Sequence, residues 1–408
     1  MTTSTTFLRS PWNGRAGDAE LEQWRQVAAR VADQLAPGAL RRDRGNELPV
    51  DELTLLRSSG LVNLLVPEAA GGAGAHWETA FHVIRTIARA DASIGQILGY
   101  HYFNQACVTF YGDDEDRRLE WYRVSAANRW LWSDSFNPVD PDLTLTFDGS
   151  GHRLNGTKRF ATGAQVADVI VAGAVPDSGP FAGRLVVFAV PNDRAGIEHL
   201  GDWDNLGYRA SASSSVRYTD VAVETADVIG VDNDEPFSSM VTPGVQLLFG
   251  NIYLAITQAA LAHARTLTLA RPNAWFLSSV DRYANDPVLH RVIGELVART
   301  AAVEALADAL NRRFGDVVGR GGAVSAEDRA EIEVAVAALK VVATEVGLDA
   351  TSRIFEATGA SSTASRNGLD RYWRDIRTHS LHDPVEYKKI EVGAHYLTGA
   401  VQPVSLYT

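Results

Sequence analysis

Cysteine is nearly missing from this 408-residue sequence: Cys107 stands alone, so no intrachain disulfide and no multi-cysteine zinc or iron–sulfur site can form. That usage fits a reducing cytoplasm, the expected location. Cations are also in deficit, with 38 Lys and Arg against 50 Asp and Glu and a formal charge of −12. A nucleic-acid partner, which needs clustered Lys and Arg, is not expected. No uninterrupted apolar run approaches the roughly 20 residues of a membrane span. The longest apolar stretches, such as Val334 to Val346, carry Lys340 and Glu345 and read as buried core helices, so no membrane partner is expected. Met1 to Phe7 has neither the basic segment nor the apolar run of a leader peptide.

Several chemical signatures are lacking too. Gly72-Ala-Gly74 begins like a dinucleotide-binding turn, but Trp77 fills the third glycine position and no strand clearly leads into it. There is no G-x-x-x-x-G-K-[ST] loop and no G-x-S-x-G elbow. Ten histidines are scattered; His379 and His382 lie three apart, but without H-E-x-x-H or a carboxylate neighbour other than Asp383, no metal site is expected.

What remains is ordinary globular usage, 46% apolar and 22% charged, on a chain long enough for two to three domains. Three zones separate by periodicity. In the first, Trp24, Val27, Val31 and Leu35 recur at helical spacing, Pro37-Gly38 ends that helix, and further helices are expected near Glu52 to Arg57, Trp77 to Arg89 and Ser93 to Tyr111. The middle zone has short β-rich runs, Leu143 to Phe147, Val169 to Ala172, Leu185 to Val190 and Ser215 to Thr219, separated by turns at Asp148-Gly-Ser-Gly151 and Asp177-Ser-Gly-Pro180. Asn155-Gly156 reads as a hairpin turn leading into a strand with Phe160 and Thr162 on one face. The last zone is helical again. Ser325 to Asp328 has the form of a capping box, and Ile332, Ala335, Leu339, Val342 and Val346 form a stripe behind it. The expected fold class is α+β: a helical domain over 1–128, a β-barrel or sandwich over 129–235 and a helix bundle over 236–408, whose long Ala-rich helices suit a subunit interface.

The motifs resemble those of the acyl-CoA dehydrogenase fold. Val66-Pro-Glu-x-x-Gly-Gly-x-Gly74 is similar to that family's early turn, Asn155-Gly-Thr-Lys158 with Phe160-Ala-Thr162 to its G-x-K-x-W-I-T segment, Leu206-Gly-Tyr-Arg209 to its L-G-x-R, and Arg374-Asp375 to its late R-D. Leu98-Gly-Tyr-His101, the run Arg371-Tyr-Trp-Arg-Asp-Ile-Arg-Thr-His-Ser-Leu-His-Asp-Pro384 and Tyr387-Lys388 resemble the flavin monooxygenase branch of that fold, the dibenzothiophene monooxygenase family with its sulfone-metabolism relatives. The slot in which many dehydrogenases hold a glutamate base before glycine is Asp383-Pro384 here, and the dehydrogenase Gly-Gly-x-Gly is reduced to Gly359-Ala-Ser-Ser362, which points to FMN rather than FAD.

The resemblance implies a two-component enzyme. A separate NAD(P)H:flavin reductase supplies reduced FMN, oxygen adds at flavin C4a, and the resulting hydroperoxide oxygenates S, N or an electron-rich C of a small, largely apolar molecule. It implies catalytic roles for His382, Thr162 and Tyr100; cofactor contacts from Phe160, Thr162, Trp203, Ser133 and Asp134, with Arg271 on the FMN phosphate across a subunit boundary; and a substrate pocket with Gln96, Tyr100, His101 and His379. It also implies a homotetramer. Three departures stand out: Gln96 replaces a histidine of the family's helix, Asp134 the asparagine of its T-G-N, and Ser361 an arginine. The rival readings are an FAD-dependent acyl-CoA dehydrogenase and a non-catalytic flavin or acyl-ligand binding protein.

Overall fold

The computed structural model describes residues 9–149, 151–232 and 235–408; the segment read above for a leader, 1–7, and Ser150 of the Asp148–Gly151 turn lie outside the described residues. Six helices come first: α1 (Asp18–Leu35), α2 (Ala39–Gly45), α3 (Val50–Ser58), α4 (Trp77–Ala90), α5 (Ala92–Tyr111) and α6 (Glu115–Asn128). Asp91 starts α5 by accepting from the backbone N–H groups of Ser93 and Ile94. Nineteen of the 20 residues of α5 are buried. A helix apolar all round belongs at the centre, and α5 packs against α4, α7, β1 and β8.

The strands are β1 (Trp132–Asp134), β2 (Thr144–Phe147), β3 (His152–Lys158), β4 (Val169–Ala174), β5 (Val186–Pro191), β6 (Ile197–His199), β7 (Val216–Val223) and β8 (Val228–Val231). They form two four-stranded sheets, ordered β1-β4-β5-β8 and β2-β3-β7-β6; β1 and β4 are parallel and every other pair is antiparallel. One core lies between the sheets, with Leu145, Leu154, Ile170, Phe188 and Val221. The outer face of the first sheet is also covered: Val169, Val171, Val187 and Ala189 pack with Cys107, Val108 and Tyr122 of α5 and α6. Burial on both faces explains the unbroken apolar runs of β4 and β5.

The Asn155-Gly156 expectation is overturned. The turn between β2 and β3 is at Asp148–Gly151, with Phe147 opposite His152, and Asn155-Gly156 lies inside β3 at an irregularity in its pairing with β7. Gly156 takes φ 132°, and the Asn155 side chain accepts from the N–H of Asp220, itself at φ 52°. The residue pair that favours a hairpin also suits a bulge, because both need a positive φ. Phe160 and Thr162 consequently sit in a loop beyond β3 rather than on a strand.

The bundle consists of α7 (Val241–Ala270), α8 (Pro287–Val318), α9 (Ala326–Thr358), α10 (Asp370–His379) and α11 (Val385–Thr398). The capping box at Ser325 and Asp328 is formed reciprocally. The α9 stripe is rotated from the expected one: Ile332, Val336, Leu339, Ala343 and Ala350 are buried, whereas Ala335, Val342 and Val346 are only partly so. The Val334–Val346 stretch lies within the core helix α9, and a longer apolar stretch forms α7. With the short turn before it, Ser238–Ala270 is the one helix among the described residues long and apolar enough to cross a membrane, and 72% of its most apolar window is buried inside the fold.

Candidate active site

A cavity of about 730 Å³ opens where α5, the loops of the strand region, α7 and the α10–α11 turn converge. One face of α5 supplies Gln96, Tyr100, Phe103, Asn104, Cys107 and Tyr111, spaced at whole turns so that all point the same way. The strand loops add Asp134, Phe160, Thr162, Trp203 and Ser213; the start of α7 adds Gln246; and the α10 end adds His379 and His382. Eight residues expected at the site thus line one cavity: Gln96, Tyr100, Asp134, Phe160, Thr162, Trp203, His379 and His382.

Two motifs lock the strand loop onto α10. A Cβ on Gly207 would meet the carbonyl oxygen of Arg374 at 2.3 Å, so only glycine permits this approach. Across the contact, the N–H of Tyr208 donates to Asp375 at 2.8 Å and Arg374 donates to the carbonyl of Leu206 at 2.7 Å. Arg374 also pairs with Asp43 of α2. Burial pushes the Asp375 carboxyl up to about 7, against the pull of Arg371 and the Tyr208 N–H. The same loop fixes Trp203, whose Nε1 donates to the Tyr208 carbonyl at 2.9 Å. Phe160 stands edge-on to Trp203, at 6.2 Å between ring centroids, and is 52% exposed. It holds φ 62°, a strained value for a bulky side chain, and Tyr208 and Ala212 nearby are also positive.

Thr162 is buried. Its oxygen accepts from Gln96 Nε2 at 3.4 Å and from Ser213 Oγ at 3.2 Å, which leaves its own proton free to donate into the cavity. The Asp134 carboxylate accepts from Asn104 Nδ2 at 3.0 Å; burial pushes its pKa up to about 6, the Asn104 bond opposing. Tyr100 is buried against Phe249 and its phenol is held far from ionisation by that burial. His379 shares a hydrogen bond with the Tyr253 hydroxyl at 2.8 Å and is kept neutral by burial, with His382 and Lys340 adding to the effect. His379 and His382 are stacked, 5.6 Å apart at 18°.

Three expected residues lie elsewhere. His101 does not line the cavity; its Nε2 donates to the Val62 carbonyl at 2.7 Å and its Nδ1 accepts from the Trp132 N–H at 3.1 Å. Burial pulls it down to about 4, so it is a satisfied core imidazole joining α5 to β1, not a pocket residue. Ser133 is fully buried in β1, off the cavity, because strand alternation turns Asp134 toward it instead. Arg271 lies beyond the C-terminus of α7, where it lines a second, smaller depression with Thr358, Ser361, Ser362, Arg366 and Asn367, its guanidinium 4.1 Å over the Tyr283 ring. Sequence reasoning missed Arg366, which restores a cation close to the serine at 361. It also missed Lys340, fully buried in α9 and paired with Asp383.

Asp383, the slot of the dehydrogenase base, is buried outside the cavity lining. Burial opposes its ionisation, but the His382 hydrogen bond and the Lys340 ammonium outweigh that and hold it below the usual carboxylate range. A carboxylate so clamped is a poor proton acceptor.

The chain matches the acyl-CoA dehydrogenase N-terminal domain over residues 18–121, the middle domain over 136–221 and the C-terminal domain over 247–387. It is 37% identical over 387 residues to dibenzothiophene monooxygenase of Rhodococcus erythropolis, covering 91% of this chain and 93% of that one. The probable FMNH2-dependent monooxygenase SfnC of Pseudomonas putida is 33% identical over 384 residues, covering 94% and 96%. The crystal structure of FMN-bound TdsC from Paenibacillus sp. A11-2 superposes with a TM-score of 0.90 at 34% identity, over 95% of this chain and all of that one. The chain therefore belongs to the dibenzothiophene monooxygenase family, the FMNH2-dependent monooxygenase branch of the acyl-CoA dehydrogenase fold.

Proposed function

We propose that this chain is the oxygenase component of a two-component flavin monooxygenase, taking reduced FMN from a separate NAD(P)H:flavin reductase and using O2 to oxygenate S, N or an electron-rich C of a small, largely apolar substrate. The carrying observation is the cavity itself: an open pocket of about 730 Å³ with a donor-ready Thr162, an exposed Phe160 beside Trp203 and no free carboxylate base at the dehydrogenase slot. The residues fit FMN. Gln96 Oε1 and His379 Nε2 are buried without partners on the cavity wall, polar atoms that a heteroaromatic ring edge would satisfy. When bound, reduced FMN supplies the electrons that activate dioxygen for transfer of one oxygen atom.

The chain's own groups then act as follows. Thr162 donates to the flavin edge, with Gln96 and Ser213 holding its hydroxyl in place. Phe160 and Trp203 flank the ring. With FMN bound, His382 would donate or accept at the reacting edge, Tyr100 would face the substrate, and the apolar walls would limit access of water. Arg271 with Arg366 takes the phosphate, but not for the same protomer's cavity. Gln246, near the start of α7, and Arg271, just past its end, are 25 residues apart, roughly 37 Å along the helix axis and farther than one FMN can reach. A phosphate held there would belong to a neighbouring subunit's flavin, consistent with the proposed homotetramer built on the long helices, its chains divided into units near 128 and 235.

The test is retention of FMN by the purified chain, then mass spectrometry of products under labelled oxygen with a reductase present. Incorporation of one labelled atom supports the reading. Anaerobic bleaching by an acyl-CoA would instead mark a dehydrogenase, and peroxide alone from every compound tried would mark a non-catalytic binder. His382→Ala is expected to fold and to divert reducing equivalents to hydrogen peroxide; unchanged coupling would remove His382 from the mechanism.

A further inference from the structure

Lys340 is fully buried in α9, without any exposure. Its ammonium is hydrogen-bonded to Asp383 Oδ1 and, at 2.7 Å, to Gln246 Oε1. The same Asp383 oxygen takes His382 Nδ1 at 3.2 Å, so one carboxylate atom is shared between a buried cation and an imidazole on the cavity wall. The Phe249 ring packs near both, 5.3 Å from Lys340 Nζ and 5.1 Å from the His382 ring. Gln246 itself lines the cavity.

Resting on the oxygenase reading above, we propose that Lys340 is a positioning residue that acts through Asp383 to fix the orientation and proton occupancy of the His382 imidazole. Asp383, as a carboxylate, can only accept, so His382 presents Nδ1–H to it and turns Nε2 away from it. The ammonium and the imidazole compete for the same carboxylate oxygen, so removing Lys340 leaves that oxygen to His382 alone. Without Lys340, His382 would be the sole cationic partner of a buried carboxylate and would hold its second proton to higher pH.

The other titratable groups around this corner do not replace Lys340. His379 of α10 is neutral, and the phenols of Tyr100, Tyr253 and, from the C-terminal tail, Tyr407 are all pushed up by burial. Lys388 and Glu391 of α11 pair with each other at 2.9 Å. Arg377 of α10 lines the cavity with its guanidinium 6.0 Å over Trp373, and Asp134 lies on the α5–β1 wall, bonded to Asn104.

The experiment measures carbethoxylation of His382 by diethyl pyrocarbonate, followed by peptide mass spectrometry as a function of pH on flavin-free protein. Only neutral imidazole reacts, so the midpoint reports proton occupancy. In Lys340→Met and Lys340→Gln the midpoint is expected to rise by about one pH unit, roughly a tenfold slower reaction in the acid limb. A midpoint unmoved in a folded Lys340 variant overturns the proposal. Adding Asp383→Asn should abolish the difference that Lys340→Met makes; a shift that persists between Asp383→Asn and the double variant also overturns it, and that comparison stands if the single lysine variants fail to fold. A purely structural Lys340 would lower thermal stability and leave the midpoint alone. Because the midpoint needs neither flavin nor substrate, loss of FMN binding or of product would sink the oxygenase reading without deciding this one.

Discussion

Asp134 puts a carboxyl on the cavity wall where the family pattern has an amide, and its protonation is tunable. Its pKa is pushed from 3.8 up to about 6 by burial. Between those values the folded protein holds a proton that the unfolded chain has released, so stability falls as pH climbs through this window and stays lower above it. Asp134→Asn removes that cost. Denaturant midpoints are expected to show a gain on the order of 1–3 kcal/mol above about pH 6 and none below about pH 4. An equal gain at both ends would mean that the amide helps by hydrogen bonding, not by removing charge. If the proposed flavin lies in this cavity, an ionised Asp134 would repel its electron-rich reduced ring; FMN retention by the wild type should then weaken as pH rises past about 6, and that of Asp134→Asn should not.

Between elements, the decisive contact is the one joining Leu206-Gly-Tyr-Arg209 to Arg374-Asp375. Gly207→Ala would force a methyl into the Arg374 carbonyl and the Asp375 Cα, at 2.3 and 2.7 Å. The expected loss is about 1–3 kcal/mol, as for other overpacked sites. Because the loop also carries Trp203, FMN affinity should fall with it; equilibrium unfolding and fluorescence titration measure the two separately. This contact shows what the sequence exposes and what it conceals. Both motifs are visible in the chain as short patterns, but the reason for the glycine is a backbone 167 residues away, which no local rule reaches. The Gln96, Tyr100 and Asn104 face of α5 could have been found by helical spacing. Asn155-Gly156 misleads because its local preference for positive φ is real, and only pairing with β7 decides between turn and bulge. Lys340 was visible as an interruption of an apolar stretch, yet its partner Asp383 lies 43 residues on. His101 reads like a pocket residue because it adjoins Tyr100, but one step along a helix turns it by about 100° into the core.

At the scale of the whole molecule, apolar groups stand exposed among the described residues of a single chain at two places that bear on assembly. Tyr387, Ile390 and Leu397 are exposed along α11, and Trp275, Phe276 and Leu277 are exposed in the loop that follows Arg271. Contiguous exposed groups of this size mark interaction surfaces more often than solvated ones. The 25 residues of α7 that separate the cavity from Arg271 give such an interface a chemical purpose: each protomer's cavity would be completed by cations that only a neighbour can bring. Assembly and FMN affinity are then one equilibrium, and disrupting either should disturb the other. Ile390→Glu together with Phe276→Glu is expected to lower the sedimentation coefficient and to weaken FMN binding at least tenfold, while the far-UV spectrum stays unchanged. Arg271→Ala should weaken FMN comparably while leaving the oligomer intact. Dissociated protomers that still bind FMN at full strength would show that the phosphate is held within one chain and that Arg271 and Arg366 have another use.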